Sequence, residues 1–240
     1  MALDGLIAAA AVLAGALASV AGFGIGSLLT PAFGLASGTQ LAVAAVAIPH
    51  FVGTAQRYWM LRAHVDRRML FGFGATSAVG GLAGALLHGS LSSRALSLVF
   101  GALLLAAGTA ELTGWMQRVR WGRRSAWLAG ALSGLFGGMV GNQGSIRSAA
   151  MLGFDVPKQA FVATATAVAL FVDLARLPVY LAGQGRELAP LLPAIGVAVL
   201  GVMIGTAAGA RLLGRLPQRT FRRTVALLLL ALGVYVLAAG

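Results

Sequence analysis

Apolar stretches of about 20 residues recur along this chain, among them 69–88, 94–112 and 221–239, and each is about as long as a helix needs to cross the roughly 30 Å hydrocarbon core of a bilayer. Only 10% of the 240 residues are charged, while 59% are hydrophobic. Soluble domains carry roughly 25% charged residues, because a globule needs a wettable surface. This chain cannot cover itself against water. It reads as all-α, a polytopic transmembrane helical bundle whose first partner is the lipid bilayer.

The formal net charge of +12 would point to nucleic acid in a soluble protein. Here the arginines gather in short connections between apolar stretches: Arg62, Arg67 and Arg68, then Arg118, Arg120, Arg123 and Arg124, then Arg211, Arg215, Arg219, Arg222 and Arg223. They read as topology signals beside anionic lipid, and no nucleic-acid partner is expected. The N-terminal stretch 1–20 lacks the basic region of a secretion signal, since Asp4 is its one charge, so it is read as part of the fold. Cysteine is absent, which excludes disulfides and thiolate metal sites.

The chain also repeats itself. One constant spacing carries Gln40 onto Gln159, Val43 onto Val162, Arg57 onto Arg176, Gly22 onto Gly141 and Gly34 onto Gly153. A slightly longer one carries Gly80 onto Gly205, Gly84 onto Gly209, Ala85 onto Ala210 and Gly108 onto Gly233. Two gapless registers of this length indicate a duplication, with repeats at 1–121 and 122–240. Each repeat begins with an apolar helix, at 2–21 and 126–139, followed by a Gly-rich break and short apolar stretch, at 22–38 and 140–157. Three longer helices follow, at 39–61, 69–88 and 94–115, matched by 158–182, 188–210 and 221–239. The segment 126–139 offers about 14 residues, or about 21 Å, too short to span comfortably. Each opening pair is therefore read as a broken or re-entrant hairpin. If each hairpin returns to the side it left, the Arg-rich connections 62–68, 116–125 and 211–223 share the cytoplasmic side. The connections 89–93 and 183–187 and both termini then take the other. Each repeat thus crosses an odd number of times, which makes the repeats inverted, a recurring transporter architecture.

Non-helical backbone at membrane depth leaves N–H and C=O groups that only protein or a wet cavity can satisfy. The breaks at 22–27 and 141–145 are therefore the leading site. A helix starting after each break would aim its N-terminal amides at the midplane, where they favour an anion. The expected binding shell is Gly24, Gly26, Ser27, Asn142, Gln143, Gly144, Ser145 and Arg147. Arg147 stands out, because a lone Arg at such depth costs about 2.5–3.5 kcal/mol and its neighbours in sequence include no acid. Asp173 and Arg176 lie three apart on one helix face, either neutralising each other or lining a pathway with Asp173 as a proton carrier. Arg57 has Thr54 where Arg176 has Asp173, and Pro49-His50 reads as a break in the helix 39–61. His50, Arg57, Asp173 and Arg176 are the pathway or coupling candidates. Gly80, Gly84, Gly205 and Gly209 read as helix-packing glycines.

Enzyme signatures are missing: His-Glu-x-x-His, a Walker phosphate loop and Gly-x-Ser-x-Gly do not occur. Neither a cofactor nor a metal is expected. At this point the residues resemble a known group. The run GFGIGSLLTPAFGLASGTQLAVAAVAIPHFVGTAQRY, with Pro31 after the glycines, is similar to the Gly-rich segment of the sulfite exporter TauE/SafE family, also called the toluene sulfonate uptake permease family. The second half reads GNQGSIRSAAM, with Ala150 where Pro31 has its counterpart. The resemblance covers nearly the whole chain. It implies a bacterial inner-membrane carrier for sulfite, sulfonates or related organosulfur anions. The reading is a secondary transporter of a small anion working by alternating access; an anion channel and a non-transporting scaffold or assembly factor are the alternatives. A coupling proton and self-assembly into an oligomer stay open.

Overall fold

A computed structural model describes residues 2–114, 123–142, 144, 147, 151, 158–212 and 218–239. All described secondary structure is helical, as expected where lipid offers the backbone no partner and each segment must satisfy its own N–H and C=O groups. In the first half, α1 is Ala2–Ala21, α2 is Ile25–Leu61, α3 is Arg67–His88 and α4 is Ser93–Thr113. In the second half, α5 is Arg123–Val140, α6 is Lys158–Leu188, α7 is Leu192–Leu212 and α8 is Gln218–Ala239. Several of these are long and apolar enough to cross a membrane, so the chain is a multi-pass membrane protein.

Equivalent positions adopt equivalent structure. Helix α1 ends where the Gly22 amide donates to the Ala18 carbonyl, with Gly22 at φ 77°. Helix α5 ends where the Gly141 amide donates to the Gly137 carbonyl, with Gly141 at φ 74°. That left-handed backbone is open to glycine at no steric cost, which is why the breaks fall there. A third such glycine, Gly38 at φ 72°, kinks α2 into the limbs 25–37 and 39–61.

The halves interlock. Helix α1 packs on α7 and α5 on α3, so the opening helix of each half lies on the third helix of the other. Helices α2 and α6 pack together, as do α4 and α8. The α3–α5 and α1–α7 contacts are the same contact made twice. A Cβ at Gly80 would strike the backbone of Ala131 and Leu135, and one at Gly205 would strike Val12 and Ala16. The repeat spacing carries Val12 onto Ala131 and Ala16 onto Leu135. Gly84 meets the backbone of Leu135 and Met139, and its counterpart Gly209 meets Ala16. These glycines let helix axes approach until backbone touches backbone, where dispersion and weak polar contacts hold helices together in lipid.

Two expectations are corrected. Helix α5 has 18 residues in all, about 27 Å, but its apolar part is Trp127–Val140, as short as the sequence reading has it. Pro49 does not break the helix: among α2 residues only Gly38 has non-helical torsions. Proline removes one backbone donor, and a helix buried among neighbours absorbs that loss without unwinding. Gly183 and Gly185 are helical, so α6 runs on to Leu188 and the connection shrinks to 189–191. Each costs about 1 kcal/mol in a helix, less than leaving the carbonyls of a whole turn unpaired. The repeat boundary at 121/122 lies outside the described residues.

Candidate functional site at the two breaks

The limb 25–37 starts at Ile25 after Gly24, whose φ is 129°. Its first helical bond is from the Leu28 amide to the Gly24 carbonyl, 3.1 Å. The amides of Ile25, Gly26 and Ser27 thus form the free, partially positive start of a helix. This start lies inside the bundle: a Cβ at Gly53 of α2 would stand 3.2 Å from the Ile25 Cδ1 and 3.8 Å from the Thr206 Oγ1 of α7. Both partners lie well within long apolar helices.

The second break meets the first. Gly26 lies so close to the Gly141 carbonyl that no side chain fits between them, and Gly144 lies against Phe23 in the same way. Where they meet is a cavity of about 10 Å³, roughly what one water needs. Gly24, Gly26 and Ser27 line it from the first break, and Asn142, Gly144 and Arg147 from the second. Phe23, Gly141 and His50 complete the wall. Gln143 and Ser145, also expected in the shell, lie outside the described residues.

Arg147 is 2% exposed. Its Nη2 donates to the Gly22 carbonyl at 3.0 Å, across the repeat boundary, while Nε and Nη1 have no partner. Asn142 is buried with Nδ2 unpaired. Arg57, on the limb 39–61, is also buried; its Nη2 donates to the Thr54 hydroxyl at 3.3 Å and its Nε and Nη1 are unpaired. Arg57 and Arg147 interact electrostatically with each other. Every unpaired group in this set is a donor.

The remaining candidates form one network beside the cavity. Nδ1 of His50 is 2.7 Å from Oδ2 of Asp173, and the Thr54 hydroxyl is 3.4 Å from the same Nδ1. The other Asp173 oxygen, Oδ1, accepts from Nε of Arg176 at 2.9 Å, with Nη2 at 2.8 Å. Arg176 Nη1 then donates to the Gly137 carbonyl at 2.7 Å, and the Tyr180 hydroxyl donates to the Gly138 carbonyl. The last turn of α5 is thereby pinned to α6 just before the second break. Asp173 and Arg176 neutralise each other, as one reading held, and Asp173 also holds a histidine from the other half. Tyr180 was not foreseen; its one signal is its place one turn after Arg176 on the same face.

Compared with known families, residues 7–236 match the sulfite exporter TauE/SafE family. The chain belongs to that family. No curated protein and no solved structure matches it. TauE/SafE proteins are membrane transporters, and the donor-rich cavity belongs to a chain of that class. In this TauE/SafE member the Gly-rich segments that carry the resemblance are the ones that meet at the cavity.

Proposed function

We propose that this protein is a secondary transporter of a small sulfur oxyanion, bound where the two breaks meet, in the inner membrane of a bacterium. One observation carries the reading: among the described residues, the unpaired buried groups at the breaks are donor nitrogens of Asn142 and Arg147, joined by those of Arg57. Leaving such groups unsatisfied costs about 1–3 kcal/mol each, more when charged. An oxyanion supplies the missing acceptors and countercharge together. Among the described residues Arg57, Arg147 and Arg176 are buried against the single buried acid Asp173. With His50 neutral, that imbalance favours a divalent ion over a monovalent one.

The cavity is too small to pass such an ion as it stands, so the walls must part. That supports alternating access over an open pore. The exchanged α1–α7 and α3–α5 contacts support a two-fold relation between repeats at 1–121 and 122–240, and the arginine asymmetry of their connections supports its being an inversion. His50 and Asp173, sharing a hydrogen bond at the wall, are the proposed seat of a coupling proton.

Thermal shift of the purified protein tests the site. Sulfite, sulfate or thiosulfate should stabilise it more than methanesulfonate or acetate. Arg147→Ala should remain folded yet bind the preferred ion at least about thirtyfold more weakly, the loss expected when one partner of a buried charge pair is removed. Arg147→Lys should fall between, because the planar fork is lost. Unchanged affinity in Arg147→Ala would place the site elsewhere.

A further inference from the structure

A second cavity, about 220 Å³, lies where α2 bends at Gly38 against the start of α4 and the end of α8. Five hydroxyl side chains line it, Thr30, Thr39, Ser93, Ser97 and Tyr235, together with Arg94, and among the described residues its wall contains no acid. Helix α4 begins here: the Ser92 hydroxyl caps the Ala95 amide at 3.2 Å, leaving the earlier amides of that turn as free donors. A helix start alone would say little. Thr30 adds an independent sign, being 1% exposed with its Oγ1 unpaired. Ser97 and Thr39 are already satisfied by one another at 2.7 Å, and the Ser93 hydroxyl accepts from the Gln40 amide at 3.4 Å, so Thr30 and Arg94, with the exposed Tyr235 at the rim, are the groups left for a ligand.

The cavity is also aligned with the central one. Along the limb 25–37, Ser27 faces the central cavity, while Thr30 and Gly34 line the outer one, together with Gly38 at the kink. The three limb positions are spaced as one face of a helix. A small-residue face therefore runs from the outer cavity to the breaks, with a hydroxyl at each end.

We propose that this cavity is a second, outer oxyanion site that loads the path to the breaks, on the face carrying 89–93. Its ligand chemistry is an oxyanion with several acceptor oxygens, held by Arg94, the α4 start and Thr30. Such oxygens can come from a free inorganic ion or from a lipid phosphate. The path to the breaks rests on the transport reading above; the occupancy of the outer site does not.

The cysteine-free sequence makes the test direct. Ala239→Cys places one thiol on the cavity wall at an exposed position. Its alkylation by N-ethylmaleimide is timed with sodium sulfate or with chloride at equal ionic strength. Parallel arms use nanodiscs of phosphatidylcholine with and without phosphatidylglycerol. Sulfate, or phosphatidylglycerol alone, should slow alkylation about threefold or more, as occupancy by mass action requires. The protection should survive Arg147→Ala, and should be lost in Arg94→Gln and weakened in the near-isosteric Thr30→Val. Protection by sulfate in both kinds of nanodisc assigns the site to a free ion; protection only by phosphatidylglycerol assigns it to lipid. Protection from neither source, protection that disappears in Arg147→Ala, or protection unchanged in Arg94→Gln would overturn the outer site. Failure of the central reading shows separately, as an Arg147→Ala protein with unchanged thermal response.

Discussion

Asp173 is the residue on which the buried charges converge, one oxygen toward His50 of the first half and the other toward Arg176 of its own helix. Removing it alone by Asp173→Asn strands a buried guanidinium and should cost of order 3–5 kcal/mol. Removing both charges, with Asp173→Asn and Arg176→Gln, should recover most of that. The double variant then isolates the proton question. If His50 and Asp173 carry the coupling proton, it should still exchange substrate in proteoliposomes but lose uptake driven by an imposed pH gradient. Gradient-driven uptake at full rate would reduce Asp173 to a packing role. The sequence displayed Asp173 and Arg176 as a pair, since charges three apart in an apolar helix are conspicuous. It could not display His50 as their partner. The repeat register places Ala169 opposite His50, so the duplication itself carries no trace of the contact, which is long-range and made by one half only.

At the scale of helices, sign separates packing glycines from incidental ones. An exposed helical Gly→Ala change ordinarily stabilises by up to about 1 kcal/mol. Gly185→Ala should do so, because a Cβ there meets nothing within 4 Å. Gly84→Ala should instead destabilise by about 1–3 kcal/mol, the range for overpacking, because its Cβ would press on the backbone of Leu135 and Met139. Gly209→Ala should lose a similar amount against Ala16. Melting of the three variants in one detergent checks the order, and a stabilised Gly84→Ala would remove the backbone contact from the account. The helices themselves were legible, because about 20 apolar residues in a row admit few other structures in lipid. Their ends were less so. Gly183 and Gly185 look like breakers, yet leaving the carbonyls of a whole turn unpaired costs more than two helical glycines. Pro49 misled for the same reason, whereas Gly22 and Gly141 did break the chain because positive φ, not mere flexibility, is used there.

For the whole molecule, inversion of the repeats is a statement about which face each connection reaches. The connection after α2 and the one after α6 occupy the same place in their respective halves. A parallel duplication puts both on one face, and an inverted one puts them on opposite faces. Arginine favours the second: Arg62, Arg67 and Arg68 crowd the first connection, while Arg186 is the lone arginine beside its counterpart. By the positive-inside rule the first should then face the cytoplasm. Single thiols at His64, Ser90 and Gly185 can decide this, since the chain has no cysteine of its own. In intact cells a membrane-impermeant maleimide should reach positions 90 and 185 and miss position 64, which should react only after the membrane is opened. The outcome bears on mechanism as well as topology. Opposed halves give each face an equivalent path, so that one rearrangement can close the first while opening the second. Labelling of 64 and 185 from the same face would make the repeats parallel. The two breaks would then enter from a single side, and the exchanged glycine contacts would reflect a two-fold axis along the membrane normal instead of one in the membrane plane.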